Sequence, residues 1–435
     1  MSTNSALEVL ASAKLGKNAV NFARALRAGP WVFVTGCLAQ DFEEGFSGQV
    51  VSLQNPHAGR PKREKEAAII FDQVAELLRL GGASLEHVVR TDQYYTSVQV
   101  VPPYQQIRRE RFGKSIPTST SIVQKNLLFP QADMDLQVIA VVPDGGLSVE
   151  HHDGVLRGRA TAGYSAALSA GNFVFVPGVT SMAQGDEPRH NAIAAAARIE
   201  NGMQWGGLPI KLETEFIINE RIIPSLGLAN AELKDIVKAQ VYLTDPSDYS
   251  AFNEVWVKYF GDSQAALSVI PCAERGLAVE DGKIEINVLA MKPSDGESKQ
   301  IITAGVPMVF DRQPEAVKAG DLLFISALMA NDENGIAQES KFDDQYPYFN
   351  STAERQAECI IEKAKRICEA AGTTLDNIVR LQQFHTDLHE FYPTYATWQR
   401  YLPNRPLPFS AVEVPGPLPV PGCSLLVDLW VYIPR

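Results

Sequence analysis

The sequence predicts an α+β protein built from three tandem copies of one unit, each a mixed sheet with two helices on one face. Three markers, recurring in the same order, predict it. The first is a Leu, a hydrophobic pair and a basic residue leading into a strand: "LEHVVRTDQYY", "LKDIVKAQVYL" and "LDNIVRLQQFH", with Arg90, Lys238 and Arg380 as the basic residues. The second is Ala-Gly before a strand, at Gly29, Gly171 and Gly320. The third closes each unit: "MDLQVIAVVP", "KIEINVLAMKP" and "LLVDLWVYIP".

The markers recur 142 to 149 residues apart. Solenoid repeats run to roughly 50 residues, so each copy here is large enough for its own core. "PDGGLSVEHHDG" and "KPSDGESKQ" read as polar linkers and place the units at 1–146, 147–295 and 296–435. Within the first unit, "WVFVTG" is short and β-rich. "REKEAAIIFDQVAELLRLGG" has Ala67, Ile70, Val74, Leu77 and Leu78 at helical spacing and stops at Gly81-Gly82. "HVVRTDQYYTS" alternates as a strand. "PPYQQIRRERFG" opens on proline and ends at Gly113, as a short helix does. "TSTSIVQ" and "MDLQVIAVV" are strands. The sheet face without helices is too apolar for water, so it is expected to pack against the sister units. That makes a pseudo-threefold ring from one chain, with clefts between units.

Composition narrows the function. The net charge of -12 opposes a phosphate backbone, so no nucleic-acid partner is expected. Five cysteines without CxxC spacing argue for reduced thiols rather than disulfides or zinc. No run reaches the ~20 apolar residues of a membrane span. A soluble cytoplasmic protein with a small-molecule substrate and no cofactor follows, as a monomeric ring or a pair of rings.

"RAGPWVFVTG", "LKDIVKAQVYLTDPSDYSAFNEVWVKYF" and "FSAVEVPGPL" resemble the Rid (YjgF/YER057c) family of imine and enamine deaminases, and the resemblance covers nearly the whole chain three times. It implies a chorismate-mutase-like fold and clefts between units. It also implies an arginine that holds a substrate carboxylate and a glutamate in a "VEIEAIA"-like closing strand that handles water. The chain departs from that pattern. Ser119, Leu267 and Phe409 stand at the arginine position, with Arg275 and Arg405 nearby in sequence. Gln137, Asn287 and Asp428 are aligned with the glutamate. On that alignment Asp428 is the expected catalytic base. Gln137 and Asn287 are expected to line the clefts or to bond internally. Ser119, Thr35, Tyr164, Asn253 and Ser326 are further expected substrate contacts, from positions the resemblance assigns to the pocket.

Two insertions after the first strand of units two and three carry Trp205, Tyr346, Tyr348 and Phe349, and suggest aromatic lids over a neutral or cyclic ligand. His385 and His389, with Asp387 between them, sit where a strand runs into a loop; no metal is expected. His151 and His152 fall in a linker. The expected function is water addition to a C=N or related bond. A binding protein without chemistry is one alternative. A ring-opening amide hydrolase is another, weakened because no lysine recurs at corresponding places in all three units.

Overall fold

The computed structural model describes residues 7–15, 20–43, 45–51, 59–152, 165–183, 192–199, 206–261, 263–294, 297–310, 312–341, 345 and 351–434. Each unit contributes one large sheet. The first orders Glu8–Leu15, Val20–Ala28, Trp31–Cys37, Met134–Val141, Val88–Tyr95 and Thr118–Val123 side by side. Its central strand, Val88–Tyr95, pairs antiparallel with the closing strand, Met134–Val141, and parallel with the edge strand, Thr118–Val123. The second unit repeats this with Ile236–Leu243, Ile284–Met291 and Ala266–Pro271. The third uses Ile378–His385, Leu425–Tyr432 and Phe409–Glu413.

The Ala-Gly marker has a steric cause. Gly29, Gly171 and Gly320 have φ of 56°, 59° and 57°, the left-handed region that a tight hairpin turn needs and a side chain resists. Each is followed by a hairpin strand: Trp31–Cys37, Phe173–Thr180 or Leu322–Leu328. The stretches read as linkers carry an extra strand. Val149–His152 and Gln300–Ile302 pair with Ala167–Ala170 and Ala316–Ala319 as outer strands. His151 and His152 are therefore part of a sheet, bonded to Ser165 Oγ at 2.8 Å and Ser169 Oγ at 2.7 Å.

Two helical segments cover one face of each sheet. In the first unit, Lys62–Leu80 buries Ala67, Ile70, Val74, Leu77 and Leu78 and gives way to Gly81. Val101–Phe112 lies beside it. The second unit replaces the first helix by Pro209–Ile217, a π-turn at Ile218–Ile222 and Ile223–Leu228. The π-turn has a local reason. Pro224 has no N–H for the Glu220 carbonyl. Arg221 Nη1 bonds that oxygen instead at 2.9 Å.

The opposite sheet faces meet one another. Trp31 and Phe33 from the first unit, Phe173 and Phe175 from the second, and Phe324 and Trp430 from the third share one buried cluster. Burying each such side chain contributes about 1.5–3 kcal/mol. Contacts run cyclically. The edge strand of unit one lies on the hairpin strand of unit two, that of two on three, and that of three on one. Asn126–Leu127 of the first unit even adds a strand to the third unit's sheet, antiparallel to Val412–Glu413.

The basic marker is explained by a bulge repeated three times. The closing-strand register slips between Val88 and Arg90, between Ile236 and Lys238, and between Ile378 and Arg380. Val88, Ile236 and Ile378 face the helices, whereas Val89, Val237 and Val379 join the shared cluster. The bulge puts the next residue, the base, on the shared side as well. There Arg90 bonds Asp92 at 2.9 Å, and Arg380 bonds the same carboxylate. Lys238 bonds Asp428 at 2.7 Å.

Removing one partner of such a buried set leaves a charge uncompensated, at a cost of about 3–5 kcal/mol. Asp92→Asn should lower the unfolding free energy by about that amount in urea titration, whereas Glu76→Gln, which breaks an exposed pair with Arg79, should change it little.

Candidate functional site

Ladder register identifies equivalent positions across the three units. Ser119, Leu267 and Phe409 pair with Thr91, Ala239 and Leu381, each one residue after the bulged base, so none of the three places offers an arginine. Arg405 does not supply one either, because its guanidinium bonds the backbone carbonyls of Leu375 and Ile378.

The residues aligned with the family glutamate lie in the axial layer. Gln137 Oε1 accepts from Arg380 Nε at 3.3 Å and from Gln382 Nε2 at 2.9 Å; its Nε2 donates to Ser410 Oγ at 2.6 Å. Asn287 Oδ1 accepts from Arg90 Nη2 at 2.8 Å. Asp428 is 0% exposed and bonded to Lys238 and Ser268. Although burial opposes ionisation, Lys238 and then Arg380 hold its carboxyl below the usual range. That is the environment of a counter-ion, so the base role expected of Asp428 does not fit its surroundings. Lys238 Nζ also donates to Ser268 Oγ at 2.8 Å. It is one lysine–serine contact, and all three groups are fully enclosed, which gives a ring-opening hydrolase nothing to use.

The other expected contacts are dispersed. Thr35 Oγ1 donates to the Ala23 carbonyl at 2.7 Å, and Ser326 Oγ to that of Pro314 at 2.6 Å. Asn253 lies half-buried on the helix Tyr249–Phe260, and its Oδ1 has no hydrogen-bond partner among the described residues. Ser119 is half-buried and donates to Gln93 Oε1 at 3.0 Å. Tyr164, Trp205, Tyr346, Tyr348 and Phe349 lie outside the described residues. His385 is fully buried at a strand end while His389 is almost fully exposed beside Asp387, so the pair does not converge on a metal.

Two positions earlier in each closing strand stand Asp135, Glu285 and Leu426, paired with Tyr94, Tyr242 and Phe384. Here the three interfaces differ. Between units two and three the position is Leu426. Leu267 closes that cleft, donating its amide to Ser326 Oγ at 3.0 Å and receiving Gln313 Nε2 on its carbonyl at 2.9 Å. Between units three and one, Asp135 is buried and pushed up to about 7 by desolvation. Phe409 packs there on Phe22 and Phe391, with ring centroids 5.5 and 5.1 Å apart, and fills the cleft.

The interface of units one and two is polar. Glu285 is 3% exposed, and burial raises its carboxyl from 4.5 to about 8, with the Ser121 backbone amide opposing the shift. Gly178 makes room for it. A Cβ there would fall 2.0 Å from Glu285 Oε1 and 3.2 Å from Thr120 Cγ2. Across the interface, Gln93 Oε1 accepts from Ser119 Oγ and from Ser121 Oγ, the latter at 2.9 Å. The Tyr95 and Tyr104 hydroxyls are buried in the same cluster, Tyr95 beside Ser121 and Tyr104 beside Gln93. Arg108 donates to the Pro117 carbonyl at 3.1 Å.

The second unit is an internal control. Where unit one has Gln93, Tyr95, Tyr104, Arg108, Ser119 and Ser121, it has Val241, Leu243, Phe252, Trp256, Leu267 and Val269. Unit three keeps Gln383 and has His385 in place of Tyr95, but Trp398, Phe409 and Ala411 replace Arg108, Ser119 and Ser121, so the serine pair opposite Glu285 belongs to unit one. The sequence reading missed Glu285 because "KIEIN" carries two polar residues on one strand face, and it took the second. Arg108 lies in "PPYQQIRRERFG", which the sequence marks only as a short helix.

These features define the class: a triplicated α+β chain with inter-unit interfaces, two of them holding a buried carboxyl that keeps its proton near neutrality, Glu285 and Asp135. Comparison places it more closely. The Endoribonuclease L-PSP family model matches residues 217–292 and 311–423. A RutC family protein of Pyrococcus horikoshii is 32% identical over 129 residues, 30% of this chain and 86% of that protein. The 3-aminoacrylate deaminase RutC of Acinetobacter baylyi is 30% identical over the same shares. The crystal structure of RidA from an Antarctic Psychrobacter is 27% identical, covering 31% of this chain and 99% of that one, at a TM-score of 0.26. The chain belongs to the Rid family. No helix among the described residues is long and apolar enough to cross a membrane.

An acid whose pKa folding raises contributes stability below its unfolded value, here 4.5, and that contribution is lost as pH rises through about 8. Glu285→Gln should therefore gain stability relative to the parent, with the gap widening from about pH 5 to about pH 8 in chemical denaturation. Gly178→Ala should lower Tm, because its methyl collides with Glu285.

Proposed function

We propose that the protein is a hydrolytic deaminase of small imines or enamines, working at the interface of units one and two with Glu285 as its acid and base. The observation that carries this reading is the buried carboxyl beside Gly178, facing a polar cluster that unit two lacks. The relative named a 3-aminoacrylate deaminase supports the reaction class.

The chemistry follows from the carboxyl's position near neutrality. Protonated Glu285 gives its proton to the enamine carbon, or to the imine nitrogen, and leaves a C=N+ electrophile. The resulting carboxylate takes a proton from water as the oxygen bonds to carbon. The carbinolamine then collapses, with proton transfer to nitrogen, and releases ammonia and a carbonyl product. One carboxyl completes the cycle because its two forms are of similar energy near pH 7–8, as its value of about 8 requires. Ser119, Gln93 and the two tyrosines supply hydrogen-bonding groups for the rest of the substrate.

Ammonia release from a panel of imines and enamines, 3-aminoacrylate included, tests this. Glu285→Gln should reduce kcat/KM at least ~100-fold with the fold intact by circular dichroism. Asp428→Asn should destabilise the protein yet keep the turnover of the folded fraction. Unchanged turnover in Glu285→Gln, or its loss only in Asp428→Asn, refutes the assignment.

A further inference from the structure

The hydrogen bonds opposite Glu285 limit what that cleft can hold, a point that rests on the reading of the cleft as a deaminase site. Ser119 and Ser121 are half-buried on the edge strand of unit one, and the Ser121 amide bonds the Glu285 carboxyl. Both hydroxyls give their protons to one atom, Gln93 Oε1, at 3.0 and 2.9 Å. The orientation of that amide follows from its other neighbour. Burial raises the Tyr104 phenol and Gln93 opposes the rise, as a donor does, so Nε2 lies on the Tyr104 side and the carbonyl on the serine side. With their protons committed, the serine oxygens have only lone pairs to offer. Ser121 has the Tyr95 hydroxyl beside it. Ser119 Oγ has no second partner among the described residues.

Neither nearby arginine reverses this polarity. Arg108 is 2% exposed, with Nη2 on the Pro117 carbonyl. Arg275 is exposed, on a loop whose Ala273 and Gly276 meet the strand at Val123, past Ser121. A carboxylate set against Ser119 would face lone pairs. Turning the serine proton toward it would take a bond from Gln93 Oε1, whose residue is 1% exposed and cannot recover that bond from water. A neutral N–H meets no such conflict. A second cation, by contrast, would be repelled by the buried Arg108.

We propose that the cleft of units one and two takes imines or enamines whose far end is an uncharged N–H donor of the carboxamide type rather than a carboxylate. Ser119 Oγ is the acceptor, and Gln93 is the positioning residue that fixes its polarity.

3-Aminoacrylamide and 3-aminoacrylate carry the same enamine and differ only at that end. With one water, each gives one ammonia and an aldehyde. On the full chain at neutral pH, the amide should have the higher kcat/KM. Ser119→Ala should lower the amide-to-acid ratio about tenfold. Gln93→Met, which frees both serine protons, should shift it further toward the acid, and Arg275→Ala should leave it unchanged. Binding separates this proposal from the deaminase reading. Crotonamide and crotonate lack the enamine nitrogen. Crotonamide should raise Tm saturably, sodium crotonate at equal ionic strength should not, and Ser119→Ala should lose the rise. If neither enamine is turned over but crotonamide alone raises Tm, the deaminase reading fails and the donor preference stands. A higher kcat/KM for the acid, a ratio unmoved by Ser119→Ala, or a Tm raised by crotonate or by neither compound would overturn the proposal.

Discussion

Everything in the architecture depends on how three sheets can meet around charged residues. The repeated bulge turns a base inward in each unit, at Arg90, Lys238 and Arg380. Three like charges brought together in a low-dielectric layer would prevent the sheets from closing. Asp92 resolves most of this by serving Arg90 and Arg380 at once, and Asp428 serves Lys238. Amides finish the layer. Arg90 Nη2 reaches Gln240 at 2.7 Å, and Gln240 Nε2 reaches Gln382 at 2.6 Å. The apolar cluster around Trp430 can be dry only because this polar layer beside it is largely self-satisfied.

Such a layer favours a single polypeptide over three identical copies. Asp92, Gln240 and Gln382 occupy equivalent places. Identical chains would put three carboxylates or three amides there. Three carboxylates repel, and three amides leave the bases unpaired. A fused chain can set one carboxylate between two arginines and fill the remaining places with neutral partners. The same freedom operates at the interfaces, where Glu285, Asp135 and Leu426 have equivalent backbones and unlike surroundings. One cleft keeps polar groups, one is filled by Phe22 and Phe409, and one is sealed by Leu267.

Much of this was legible in the sequence, and what was not has identifiable causes. The Ala-Gly marker could be read because a left-handed turn restricts the residue itself. The helix Lys62–Leu80 could be read because its apolar spacing records its own buried face. The basic marker was visible as a repeat, but its purpose was not, since a bulge exists only relative to the strand it pairs with. Val149–His152 looked like a linker because an outer strand of four residues has no burial pattern to betray it. The site suffered most. Glu285 and Asn287 share a strand face, and nothing local says which one lies under the neighbouring unit's edge. The apolar neighbours of Asp428 in sequence point to burial, but the cation beside it comes from another unit and holds its carboxyl below the usual range.

That contact separates the two kinds of buried carboxylate in this molecule. Asp92 and Asp428 are charged because the fold brings cations to them, and their protons are held off. Glu285 and Asp135 are enclosed with no cation in bonding contact among the described residues, and desolvation retains their protons to about 8 and 7. The first kind contributes to assembly and is useless for proton transfer, since protonating it would strand a guanidinium or an ammonium. The second kind costs stability as pH rises, a cost that structural need alone does not explain when Leu426 shows an apolar residue can occupy the same place. A carboxyl there, with Gly178 leaving room for it and the serine pair opposite, is the arrangement on which the role proposed for Glu285 rests.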